Sequence, residues 1–310
     1  MCRKVNILYY HRVFEIKDDI NLLCVTPAKF EQQMRYLKKH YDILRFEEDW
    51  ESDESDAVVV TFDDGYLDNF QYALPILEEL EIPATIFVST GTLGNDQELW
   101  WDELERLILS DDSDLESISI QDDRYGCTWH IGTYELKLNC YYAIHYLMKN
   151  FVDTDTRNRW LEQLRKQRNV SGHARVTHKT LNRQLCVALA RSKYITIGAH
   201  TVSHPSLAGM SAEEQHFEIV DSKKNLEALL NQKIDIFSYP FGIRDIDYNK
   251  ETIQICRMAG IKKAASTNPG IWTKECDAYE IPRNVVRNWG VSEFQSIIDE
   301  YWNIRTATGN

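Results

Sequence analysis

The most constraining stretch of this chain is Ala57-Val58-Val59-Val60-Thr61-Phe62, an unbroken apolar and β-branched run that stops abruptly at Asp63-Asp64-Gly65. A strand covered on one face alternates polar and apolar residues, whereas a strand covered on both does not. The run therefore predicts a buried strand of a parallel sheet. Parallel neighbours need crossover helices, and the flanking sequence supplies them. Thr26-Pro27 offers an N-cap and a first-turn proline for a helix reaching about His40, with Phe30, Met34 and Leu37 on one face. Phe70, Ala73, Leu74 and Leu77 give helical spacing across 69–80, and 83–88 reads as the next strand.

The same alternation is expected at 5–10 (strand), 194–199 (strand), 211–230 (helix), 236–238 (strand), 248–259 (helix) and 263–266 (strand). Between about 94 and 191 the sequence turns Trp-rich, charged and mostly helical, including 100–109 and 141–167, with an acidic patch at 111–114. This region reads as a helical insertion within one α/β catalytic domain spanning 1–310. A single α/β barrel of about 250 residues accommodates such a chain.

Composition removes several classes of function. A net charge of -13 and a pI near 5.2 argue against nucleic-acid binding, which needs a clustered basic surface. The seven cysteines are scattered without a Cys-x-x-Cys pair, so they read as reduced, packed thiols. The apolar run at 5–10 is too short for a signal-peptide core, and no segment approaches the roughly 20 apolar residues that span a bilayer. A cytoplasmic protein without a membrane span is expected, its oligomeric state unspecified.

Chemistry-bearing residues gather at strand ends, where parallel α/β folds place their sites. Asp63 and Asp64 follow the first run; taken alone, Asp-Asp-Gly is more readily a simple turn. His200-Thr201-Val202-Ser203-His204-Pro205 follows 194–199, and two neutral imidazoles with one carboxylate are a common three-ligand set for a hydrolytic zinc. Asp64 would complete that set. Ser238-Tyr239-Pro240-Phe241-Gly242 ends a third strand, where Pro and Gly fix irregular backbone next to a ligand, or merely shape a rim loop.

Together these segments resemble the polysaccharide deacetylase, or NodB-homology, family. Thr61-Phe62-Asp63-Asp64-Gly65 is similar to its first motif and His200–Pro205 to its second. The likeness extends to Tyr10-His11-Arg12-Val13, the helix bearing Phe30 to Leu37, Pro83 to Val88 and Tyr239 to Gly242, leaving the insertion poorly covered. The resemblance implies a distorted (β/α) barrel and a divalent metal on Asp64, His200 and His204: zinc first, with cobalt, nickel or iron compatible with the same donors. It also implies Asp63 as general base, and the Phe241 backbone amide as oxyanion donor with Tyr239 beside the substrate.

Two departures from the family pattern stand out. The arginine that many members carry in the third motif is replaced by Ser238, and Arg283 in Ile281-Pro282-Arg283 is the candidate to hold Asp63, unless it is an ordinary surface arginine. The late-motif histidine that serves as general acid is also missing, since no histidine follows His216. His11, after the first strand, resembles that motif moved to the N-terminal side, as in circularly permuted bacterial members. Trp101, at the start of the insertion, is a candidate for stacking on a sugar ring, although tryptophans are more often packing residues.

The expected activity is removal of an N-acyl (acetyl) group from an amino sugar in a polysaccharide or glycan precursor. A deacetylase or deformylase of a lipid- or nucleotide-linked sugar is the nearest alternative. A metal-dependent phosphodiesterase and a degenerate carbohydrate-binding protein are the alternatives of other classes.

Overall fold

The computed structural model describes residues 3–51, 55–110 and 115–304. The expected acidic patch at 111–114 lies outside them. The chain divides into two compact units, one formed by Met1–Gly94 with Leu181–Asn310 and one by Asn95–Thr180.

The first unit is built on an eight-stranded sheet. Its strands are β1 (Val5–Tyr10), β2 (Asp42–Leu44), β3 (Ala57–Phe62), β4 (Ala84–Val88), β5 (Ile195–Ala199), β6 (Ile236–Ser238), β7 (Lys263–Ala265) and β8 (Asn284–Val285). The spatial order is β7-β6-β5-β4-β3-β1-β8, every pairing is parallel, and β2 pairs with the first half of β3. A parallel bridge between Ala265 and Ile281 brings the far edge toward β8, which curls the sheet into a distorted (β/α) barrel. The first strand is interior: Tyr10 pairs with Phe62 on one side and Leu8 with Asn284 on the other.

All six residues of β3 are buried, as its unbroken apolar run requires. The helix Pro27–His40 lays Phe30, Met34 and Leu37 on the sheet, and Phe30 meets Tyr10 and Phe62 at ring-centroid distances of 5.3 and 5.7 Å. The expected helix at 69–80 begins as a π-turn, Asn69–Ala73, before Leu74–Glu79 continues as α-helix. The expected helix at 211–230 is similarly interrupted, with a π-turn at Phe217–Asp221. A further helix, Val291–Trp302, starts after Gly290, which has no side chain to cap it and so leaves no start signal in the sequence.

Gly198 on β5 shows how tightly the barrel interior is filled. A Cβ there would sit 2.4 Å from the ring of Phe87, which is itself fully buried. Gly198→Ala is expected to destabilise the protein by roughly 1–3 kcal/mol through overpacking. Thermal denaturation would show it; an unchanged midpoint would mean that the ring has room to move.

The second unit was expected to be mostly helical. It contains the helices Trp100–Leu109, Tyr134–Asn150 and Thr154–Arg168, the last two separated by residues 151–153, of which Asp153 caps the third helix by accepting from the Thr156 amide at 2.6 Å. It also contains an antiparallel hairpin, Ser117–Gln121 with Gly126–His130. Alternation buries Ile118 and Ile120, while Gln163 and Gln167 of the third helix bond to the Gln121 and Ser119 backbones. The unit ends at Thr180, not near 191, because Arg183–Ala190 is a helix of the first unit. Among the described residues, no helix is long and apolar enough to cross a membrane.

Candidate active site

The end of β3 turns sharply. Asp64 and Gly65 have φ of 76° and 79°, and the Gly65 amide donates back to the Asp63 carbonyl at 3.0 Å. A left-handed aspartate is strained relative to ordinary backbone and worth explaining by function. Here the turn sends the two adjacent carboxylates to different partners.

Asp63 faces Arg283. The guanidinium donates from Nη1 to Oδ1 at 2.8 Å and from Nη2 to Oδ2 at 2.7 Å, a bidentate pair. Its remaining N–H groups reach the Ser266 carbonyl at 2.9 Å, Thr61 Oγ1 at 3.2 Å and Ser238 Oγ at 2.8 Å. All five guanidinium donors are thereby placed. The Tyr9 and Phe87 rings lie 4.8 and 5.6 Å from the charge centre, and Arg283 is completely buried. Burial pushes the Asp63 carboxyl up, but the guanidinium outweighs it and holds the group below the usual carboxylate range. The small Ser238 side chain serves as an acceptor for an arginine arriving from elsewhere in the barrel.

Asp64 faces the two imidazoles. Its Oδ1 lies 3.4 Å from His200 Nε2 and 3.3 Å from His204 Nε2, yet makes no well-formed hydrogen bond. The Ser238 carbonyl, 2.7 Å from His200 Nδ1, can only accept, so Nδ1 carries the proton and Nε2 presents a lone pair. Donors about 2.1 Å from a tetrahedral ion stand about 3.4 Å apart, so these separations suit a divalent metal.

The loop carrying the imidazoles is also strained, with φ of 65° at Thr201 and 55° at His204. Thr201 Oγ1 accepts from the His204 amide at 3.0 Å, and Glu218 closes the loop from outside. Its buried carboxylate accepts from the Val202 and Ser203 amides at 2.8 and 2.9 Å and from Ser203 Oγ at 2.6 Å. Sequence reasoning missed Glu218; a charged residue between Phe217 and Ile219 on a packed helix was the available signal. Glu218→Ala is expected to weaken metal affinity about 10- to 100-fold, the usual cost of losing such a support. Chelator competition measures it, and unchanged affinity would mean that Thr201 alone suffices.

His11 follows β1, is partly exposed, and lies edge-on to Tyr9 at 5.6 Å. Burial lowers the imidazole pKa, while Asp64 and Asp63 act in the opposite sense. Phe241 has φ of 58° and sets its ring edge-on to His204 at 4.9 Å. Gly242 must stay small, since a Cβ would fall 2.7 Å from the Thr267 amide nitrogen. Tyr239 is not available to touch a substrate: it is fully buried, stacks on Tyr248 at 4.0 Å, and donates its hydroxyl to the Tyr279 carbonyl at 3.0 Å. Trp101 belongs to the second unit, where its ring is 5% exposed and lies edge-on to Trp100, so it reads as packing, not as a sugar platform.

Fold and convergent groups together define a hydrolase of the distorted (β/α)-barrel class. The polysaccharide deacetylase family model matches residues 51–121 and 152–264, and the chain belongs to that family. It is accordingly a hydrolase of the class that acts on acetyl-amide bonds in polysaccharides. The chain is 23% identical over 288 residues to "Putative polysaccharide deacetylase YxkH" of Bacillus subtilis (strain 168), covering 90% of this chain and 70% of that one. Among solved structures it resembles the Streptococcus pyogenes deacetylase PplD in complex with acetate (TM-score 0.56, 20% identity, 96% of this chain and 98% of that chain). It also resembles IcaB from Ammonifex degensii (TM-score 0.59, 16% identity, 96% and 97%). At these identities the two structures speak for the fold.

Proposed function

We propose that this protein removes the N-acetyl group from an amino sugar of a polysaccharide or glycan precursor, with one divalent metal, zinc first, on Asp64, His200 and His204. The observation that carries the reading is the pairing of two environments on one turn: Asp63 locked in the Arg283 fork and Asp64 set against two imidazole nitrogens.

When bound, the metal would polarise the acyl carbonyl and lower the pKa of the attacking water. Asp63 takes the proton from that water, and the arginine keeps the carboxylate ionised and aimed. Each Asp63 oxygen bonded to Arg283 retains a second lone pair for this task. The Phe241 amide donates to the oxyanion that forms as water adds to the carbonyl carbon. His11 gives a proton to the sugar nitrogen as the C–N bond breaks, releasing acetate and a free amine.

The test is acetate and formate release from a panel of N-acylated sugars, polymeric and carrier-linked, by metal-loaded protein beside Asp63→Asn and His200→Ala. Release that disappears in both variants supports the reading. No release from any sugar despite stoichiometric metal would overturn it.

A further inference from the structure

We infer that Asp68 and Asn69 are positioning residues that fasten the His11 segment to the Asp63-Asp64 turn, and so set where the acid stands relative to the base. The inference rests on the reading of His11 as the proton donor.

Two consecutive residues hold three consecutive ones. Asn69 Nδ2 donates to the His11 carbonyl at 2.9 Å, Asp68 Oδ2 accepts from Arg12 Nε at 2.9 Å, and Asp68 Oδ1 accepts from the Val13 amide at 3.0 Å. The Arg12 guanidinium also lies over the Tyr66 ring at 4.5 Å and near the Phe14 ring at 5.2 Å. Asp68, Asn69 and Arg12 are each 3% exposed or less, so these bonds are sheltered from water. On the other side of the turn, the Asp63 amide donates to the Tyr10 carbonyl at 3.0 Å. The chain leaving β1 is thus bound both before and after His11 to the segment that carries the base.

The Asn69 side chain is poorly chosen for stability alone. Its Oδ1 is buried without a hydrogen-bond partner among the described residues, and a half-satisfied buried amide is a net cost. A π-turn begins at Asn69, an interruption often found at functional sites. Both features fit a residue kept for where it places its neighbour.

An acid that protonates a departing amine matters for an amide and hardly at all for an ester with a good leaving group. Turnover of an N-acetylated amino sugar and of 4-nitrophenyl acetate, measured on one preparation of metal-loaded protein, therefore isolates that proton. Any unfolded fraction lowers both rates equally and leaves their ratio intact. Asn69→Ala is expected to lower the amide-to-ester ratio about 10-fold, and His11→Ala to lower it further. The double variant should be no worse than His11→Ala, because residues acting through one group are not additive. If His11→Ala shifts the ratio and Asn69→Ala does not, or if their effects multiply, the positioning inference fails alone. If His11→Ala leaves the ratio unchanged, the acid assignment fails and takes this inference with it.

Discussion

Replacing Asp63 with asparagine is expected to lower kcat on an N-acetylated sugar by about 10²- to 10⁴-fold, the usual contribution of a positioned base. Metal uptake should persist, since Asp63 is no part of the Asp64, His200 and His204 group. The same substitution has a second effect. Arg283 is completely buried and sends two of its bonds to the Asp63 oxygens. An amide supplies one acceptor and no charge, and breaking a buried pair from one side costs about 3–5 kcal/mol. A companion variant, Asp63→Asn with Arg283→Met, separates the two effects. It should recover much of the lost stability, as apolar replacements of buried pairs often do, without recovering rate. Near-parental kcat in Asp63→Asn would remove the residue from the role of base.

His200→Ala should abolish stoichiometric metal binding and, with it, measurable deacetylation. It removes one of three donors and the tautomer-fixing bond to the Ser238 carbonyl. The loss in affinity should exceed the 10- to 100-fold typical of outer supports. Thermal stability offers an independent reading. In the parent, Asp64 Oδ1 is buried without a formed hydrogen bond, so a cation at that point relieves an uncompensated carboxylate oxygen. A metal held at 100 times its dissociation constant adds about 2.7 kcal/mol. Titration with zinc should therefore raise the melting temperature of the parent and leave that of His200→Ala nearly unmoved. Equal shifts in both would place the binding elsewhere.

Much of the barrel was legible because its strands are buried on both faces. The run Ala57–Phe62 and the strand Ile236–Ser238 have no alternation to misread. Ser117–Gln121 escapes such a reading for the opposite reason: three of its five residues are polar and outward, and its partner Gly126–His130 is largely exposed. The π-turns leave no trace in a period-based reading, since one extra residue per turn hardly shifts an apolar stripe. Within the site, the ends of strands announced Asp63, Asp64, His200 and His204 as a group on one edge. What spacing could not announce was direction. Tyr239 precedes Phe241 by two positions, yet it faces Tyr248 in the core. Glu218 follows Val202 and Ser203 by only 16 and 15 residues, but nothing in the spacing says that a helical carboxylate turns back to close that loop.

The order in which the strands occur along the chain governs when this enzyme becomes competent. The first strand cannot complete its pairing until Asn284 exists, and the guanidinium that holds Asp63 comes from a position 220 residues later. Pairings of such separation raise contact order, and they form late and slowly. A nascent chain lacking residues beyond 280 already owns Asp64, His200 and His204 but has nothing to hold Asp63. The guanidinium that aims Asp63 therefore becomes available only after nearly the whole chain has been made.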